Sequence, residues 1–213
     1  MEHGTIRRQP MVTIKLYVEG AGQNNDLQRT RCRQAFHTFF KNAGVVRNPR
    51  VIACGARGKT YEMFCHDVQS AQPDVLPLLL VDAESALSPD HSSWQHLKYH
   101  DNWERPAKAK DDQVFLMVQV METWFLADPA AMYNYFGAGF SEAYFKAWPR
   151  LEEIAKEDVY SVLEAATARC KRPYKKKDKS ADLSFEILCD LDPSKVEATC
   201  PNAKFLLERL RRL

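Results

Sequence analysis

Val75 to Ser85 reads VLPLLLVDAES, an apolar run that stops abruptly at two acids in alternate positions, Asp82 and Glu84. Such a run, with Pro77 near its start, predicts a short strand buried on both faces, the kind found in the middle of a parallel sheet. Alternate side chains of a strand project to the same side, so the two carboxylates point together if the extended conformation persists to residue 84. In open α/β sheets, ligands bind beyond the carboxyl ends of the strands. Two hard oxygen donors there suit a divalent cation such as Mg²⁺, which takes one or two protein carboxylates and shares its other positions with water and phosphate. Acids after a strand also cap the next helix or simply face water. The flanking segments have to decide.

Upstream, Val12 to Val18 (VTIKLYV) alternates apolar and polar and then meets Glu19-Gly20, which predicts a strand ending in an acid and a tight turn. Asn25 or Asp26 caps a predicted helix through about Ala43, with Leu27, Phe36, Phe39 and Phe40 on its apolar face and Gly44 as its stop. A second strand follows at Arg50 to Cys54, and Thr60 to Gln69 has helical character. Strand, helix, strand, helix, strand in this order predicts an α/β fold with a mostly parallel sheet and right-handed crossovers.

Downstream, Ala86 to Gln113 is long, polar and aromatic and reads as a functional or mobile loop. Val114 to Met121 (VFLMVQVM) predicts another buried strand running into Glu122 and Asp128-Pro129. Beyond Pro129 the pattern is helical: Ala130 to Phe136, Leu151 to Ala155, Val159 to Arg169, Leu183 to Cys189 and Ala203 to Leu210. The expected organisation is a flexible leader over 1–11 and a single domain over 12–213, with the sheet core in 12–129 and a mainly helical part in 130–213.

With 213 residues the chain suffices for one domain that buries roughly 70% of the surface of its unfolded state. Thirty Lys and Arg against 28 Asp and Glu leave a net charge of +2, so only local charge can speak for a polyanionic partner. No apolar run approaches the roughly 20 residues that span a bilayer, and MEHGTIRRQP has no apolar core for a signal peptide, which places the expected location in the cytoplasm. The six cysteines include no C-x-x-C pair and read as buried thiols.

A strand ending in Glu-Gly before a helix, with a later apolar strand ending in an Asp-x-Asp-like pair, resembles the Toprim fold of topoisomerases, primases and the overcoming-lysogenization-defect nucleases. More closely, the set YVEGAG, RCRQAFHTFF, CGARGKTYEMF, LLLVDAES, WQHL with Trp103, VQVMETWFLADP and CPNAKFLLERL is similar to the bacterial domain of unknown function 4276. The Toprim resemblance implies a site for phosphodiester chemistry that uses Mg²⁺ or Mn²⁺. Glu19 matches the family glutamate that acts as metal ligand or general acid/base, and Asp82 and Glu84 match the Asp-x-Asp ligands, Glu84 being one methylene longer. Glu122 and Asp128 are further ligand candidates in that reading. Their spacing of six fits one face of a strand, and a change from strand to helix between them would leave them unrelated.

Arg57 and Lys59, after the second strand, are candidate phosphate contacts, as are Lys175, Lys176 and Lys177; a solvated loop is the plainer account of that lysine run. Tyr174 beside it offers a face on which a base can stack. The resemblance also implies nucleic acid as substrate, a role in defence against phage or plasmids, and a separate ATPase subunit as partner.

Two other readings stay open. Ala53 to Thr60 (ACGARGKT) fits a loose phosphate-binding loop that lacks its first glycine, which would make the chain a nucleotide hydrolase. A non-catalytic regulatory or binding subunit on a degenerate Toprim scaffold is the rival from another class. His96 and His100, spaced H-x₃-H, lie in the expected loop and lack a third zinc ligand.

Overall fold

Val75–Asp82 forms β3, an interior strand of a four-stranded parallel sheet that also contains β1 (Thr13–Glu19), β2 (Arg50–Gly55) and β4 (Val114–Met117) in the order β2-β1-β3-β4. The computed structural model describes residues 12–20, 25–70, 72–146, 148, 150–175 and 181–213; the expected leader over 1–11, together with Lys176 and Lys177, lies outside them. As the sequence predicts, this is an α/β protein with a parallel sheet flanked by helices and further helices after it.

Alternation along the strands sorts the core into two layers. Ile14, Leu16, Val18, Leu78, Leu80, Phe115 and Met117 face α1 (Asp26–Asn42) and the later helices, packing with Phe36, Phe39, Phe40 and Trp124. Tyr17, Leu79, Val81, Val114 and Leu116 face α2 (Arg57–Ser70) and α3 (Ser93–Asp101), packing with Phe64, Trp94 and Leu97. Helices α1 and α2 therefore cover opposite faces. The chain leaves β1 toward β2 on one side and returns to β3 on the other, so β1 and β3 are the strands between which the winding reverses. The crevice beyond their carboxyl ends is the place where doubly wound sheets hold ligands.

The larger layer is closed by α4 (Pro129–Phe136), α5 (Lys156–Thr167), α6 (Ala181–Asp190), α7 (Pro193–Thr199) and α8 (Pro201–Arg211). One buried cluster runs from Ile14 to Leu210, so sheet and later helices share a core. α8 packs on β4, Arg211 Nε donates to the Ala43 carbonyl (2.7 Å), and Arg47 Nη1 donates to the Leu213 carbonyl (2.8 Å). No helix among the described residues is long and apolar enough to cross a membrane.

Several local expectations need correction. Ala86 to Gln113 contains α3, whose first turn is fixed by a capping box in which Ser92 Oγ accepts from the Gln95 amide and Gln95 Oε1 accepts from the Ser92 amide. β4 ends at Met117, and Met121–Ala127 is a 3₁₀ helix, so no strand face joins Glu122 to Asp128. Leu151–Glu153 is a single 3₁₀ turn, and Asp192-Pro193, a turn or helix start by its sequence, caps and opens α7.

Candidate functional site

Three carboxylates stand at the β1–β3 crevice. Glu19 is the last residue of β1, where a register shift after Val18 pairs it with Gly55, and Gly20 and Gly55 then bridge the two strand ends through paired backbone hydrogen bonds. Both glycines have positive φ (120° and 87°), which a side chain would resist. Asp82 closes β3. Its Oδ1 accepts from the Met121 amide at 2.8 Å and so caps the 3₁₀ helix that follows β4.

The extended backbone does not persist to Glu84. Ala83 turns inward and is fully buried, while Glu84 takes a left-handed conformation (φ 66°) with its amide on the Gln119 carbonyl. That turn, and not strand alternation, brings the Glu84 side chain to the crevice. Lys156, the first residue of α5, reaches Glu84 Oε2 at 2.7 Å, and the Lys156 amide donates to Gln119 Oε1.

Arg57 opens α2 and binds the centre together. Its Nε and Nη2 donate to the two Asp101 oxygens at 2.8 Å each; Nη1 donates to Glu19 Oε2 at 2.9 Å and to the Asp82 carbonyl at 2.6 Å. Its guanidinium also lies over the Trp103 ring, 5.1 Å from the centroid, and Trp103 stacks on Tyr61. From α3, His96 Nε2 donates to the Ala83 carbonyl at 2.8 Å, so two successive carbonyls of the acidic turn are held from one side.

The electrostatics follow from this packing. Burial pushes the Glu19 carboxyl above its ordinary range; Arg57 opposes the shift, and Glu84 and Asp101 add to it by repulsion. Burial works against the charge on Arg57, yet its bonds to Asp101 and the field of Glu19 outweigh that and hold the guanidinium firmly charged. The hydrogen bond to Glu84 raises Lys156. Tyr160, one turn after Lys156 on α5, is raised by burial and then by Glu122, Asp82 and Glu84, which keeps it a neutral phenol beside the acids.

An acid whose folded pKa is raised gives stability that is full at low pH and is lost as pH rises through that pKa. Glu19→Gln is accordingly expected to match or exceed the wild-type thermal midpoint at pH 7.5, with the difference shrinking as the pH is lowered. A clear loss at pH 7.5 would mean that the Arg57 pair outweighs burial.

The remaining candidates sit apart from this centre. Asp128, 2% exposed, caps α4 through the Ala131 amide and accepts from the Asp192 amide and from Lys195 Nζ (2.6 Å), so both of its oxygens are committed to structure. Glu122 is buried, and its Oε1 accepts from Tyr174 Oη (2.9 Å) and Ser184 Oγ (3.1 Å). Tyr174 is itself 1% exposed, which removes it as a base-stacking face. Arg57, with every guanidinium nitrogen engaged, orients acids and is not an open phosphate contact.

Lys59 is exposed and pairs with Glu62 in the first turn of α2. That helix begins at Arg57, directly after Gly55-Ala56, and Thr60 is buried with its hydroxyl on the Ala56 carbonyl. With one residue between β2 and α2, the segment does not form the phosphate-cradling loop on which the nucleotide-hydrolase reading rests. Lys175 is exposed. His96 and His100 do share a helix, but His96 is spent on the Ala83 carbonyl.

Among the described residues, no three or more His, Cys, Asp or Glu side chains are grouped to hold a metal ion. What the crevice offers is a pair of mutually repelling carboxylates, Glu19 and Glu84, with Asp82 beside them. That donor set fits a hard cation that takes two protein oxygens and leaves its other positions to water and phosphate. Sequence reasoning missed Asp101, Lys156 and Tyr160; the i, i+4 spacing of Lys156 and Tyr160 is their one trace in the chain.

No curated protein and no solved structure matches this chain. The family model described as domain of unknown function (DUF4276) matches residues 18–211, from the end of β1 to the end of α8, and the chain belongs to that family.

Proposed function

We propose that the crevice is a divalent-cation site for phosphodiester chemistry, and that the protein is a metal-dependent nuclease or related phosphoryl-transfer enzyme acting on nucleic acid, akin to the Toprim nucleases. The observation that carries this reading is that Arg57 Nη1 joins Glu19, at the end of β1, to the Asp82 carbonyl, at the end of β3, while Lys156 of α5 pairs with Glu84 on the turn that follows. Glu19 and Glu84 would supply the two protein oxygens for Mg²⁺ or Mn²⁺, and Asp82 would act on the ion's bound water. Such an ion neutralises charge on a phosphate and acidifies a bound water.

The chain's own residues have separate tasks. Lys156 keeps a full positive charge beside Glu84 and draws a phosphate to the crevice. Tyr160 stays a neutral phenol that is able to donate a hydrogen bond, and Arg57 keeps Glu19 aimed. The exposed Lys59 and Lys175, with Lys176 and Lys177 outside the described residues, are candidates for more distant contacts along a polyanion. A role in defence against phage or plasmids, beside a separate ATPase subunit in the cytoplasm, extends the same reading.

One observation favours the rival of a non-catalytic subunit: Glu19, Asp82 and Glu84 each already have a protein partner. The deciding experiment incubates the purified protein with plasmid DNA, single-stranded DNA and total RNA, with Mg²⁺ or Mn²⁺ and with chelator. Chelator-sensitive cleavage of any one polymer supports the enzyme and names its substrate. Intact polymers in every lane, with any co-purifying ATPase added back, give the case to the regulatory subunit.

A further inference from the structure

The side of the crevice covered by α2 and α3 is built from residues that the cation chemistry itself does not need. Asp101 closes α3 and takes two parallel hydrogen bonds from Arg57, the geometry that fixes a guanidinium in both direction and plane. Trp103, backed by Tyr61, lies against the guanidinium. Held by these groups, Arg57 has only Nη1 left to give, and that nitrogen joins Glu19 Oε2 to the Asp82 carbonyl, linking the ends of β1 and β3. Asp101 is 12% exposed and Arg57 16%, so the pair works where water competes weakly.

We propose that Arg57 and Asp101 are a positioning pair for the acid centre: Asp101 fixes the fork of Arg57, and the fork sets the direction of Glu19 and the path of the chain that carries Asp82. This rests on the reading of the crevice as a cation site. It makes Arg57 a residue that acts through Glu19 and Asp82, touching neither cation nor phosphate. A lysine cannot replace it, because one ammonium on a single stem does not reach Asp101, Glu19 and the Asp82 carbonyl in one plane.

The pair and a plain charge effect predict opposite signs. If Arg57 were only a nearby positive charge, Arg57→Gln would tighten Mn²⁺ binding by removing repulsion, and Arg57→Lys would bind like wild type. A positioning role predicts that Arg57→Gln and Arg57→Lys both weaken Mn²⁺ about tenfold and that Asp101→Asn weakens it less, all with folded spectra.

The experiment is a Mn²⁺ titration followed by electron paramagnetic resonance on wild type and these variants, repeated on Arg57→Ala with and without millimolar methylguanidinium. Recovery of affinity on adding the guanidinium supports positioning, since general loss of packing is not mended by a small cation. Equal or tighter binding by Arg57→Gln, or no recovery, overturns the pair. Wild type that binds no Mn²⁺ overturns both pair and cation site. Wild type that binds Mn²⁺ with the expected variant order but cleaves nothing leaves the pair standing and removes the nuclease.

Discussion

Asp82→Asn is expected to lower single-turnover cleavage at least ~10³-fold, about 4 kcal/mol of transition-state stabilisation, while the protein stays folded. The substitution separates two jobs that one carboxylate performs. Oδ1 accepts from the Met121 amide and starts the 3₁₀ helix after β4. An asparagine oxygen can take over that bond, so the cap survives and the negative charge alone is lost. A thermal midpoint close to wild type together with near-complete loss of cleavage would assign the charge to the chemistry. Cleavage within threefold of wild type would remove Asp82 from the catalytic set. A large drop in midpoint would show that its main work is capping.

The second large effect concerns Glu122, the ligand candidate that the fold has drawn inward. Glu122→Ala is expected to cost about 3 kcal/mol, because it strands the buried hydroxyls of Tyr174 and Ser184, each worth roughly 1–3 kcal/mol when left without an acceptor. Glu122→Gln keeps an oxygen where both hydroxyls donate and is expected to cost under about 1 kcal/mol. Urea unfolding of the two variants measures the difference. The same pair of proteins decides the role: a structural acceptor leaves Glu122→Gln cleaving within a few-fold of wild type, whereas a metal ligand makes it as inactive as Asp82→Asn.

The sheet was legible because its strands are short apolar runs with punctuation: VLPLLLVD before its acids, VTIKLYV before Glu-Gly, VFLM at the edge. The order β2-β1-β3-β4 was not, since hydrophobic runs carry no record of their neighbours, and the convergence of Glu19 with Glu84 depends on that order. α3 was hidden by Trp94, His96, Tyr99 and His100, which blur its amphipathic period, although Ser92 and Gln95 spell a capping box. Arg57 was recognisable as a cation near the site, but not its task, because a sequence shows a charge and not the partners that saturate it. Lys156 and Tyr160 belong to a helix more than 70 residues beyond Glu84, and nothing local announces which face of that helix turns to the sheet.

The bonds between Arg211 and Ala43, and between Arg47 and Leu213, tie positions 168 and 166 residues apart. Contacts of such separation form late, because a long loop must close before they repay it. On a ribosome, β1 and β3 with their acids emerge well before the helices after Pro129 that cover them and before Lys156, which answers the charge of Glu84. The nascent chain thus carries a half-built crevice in which Arg57 can already meet Glu19 while Glu84 stands without its lysine, which arrives only when α5 docks. Synthesis order alone would keep the centre idle until the fold is complete.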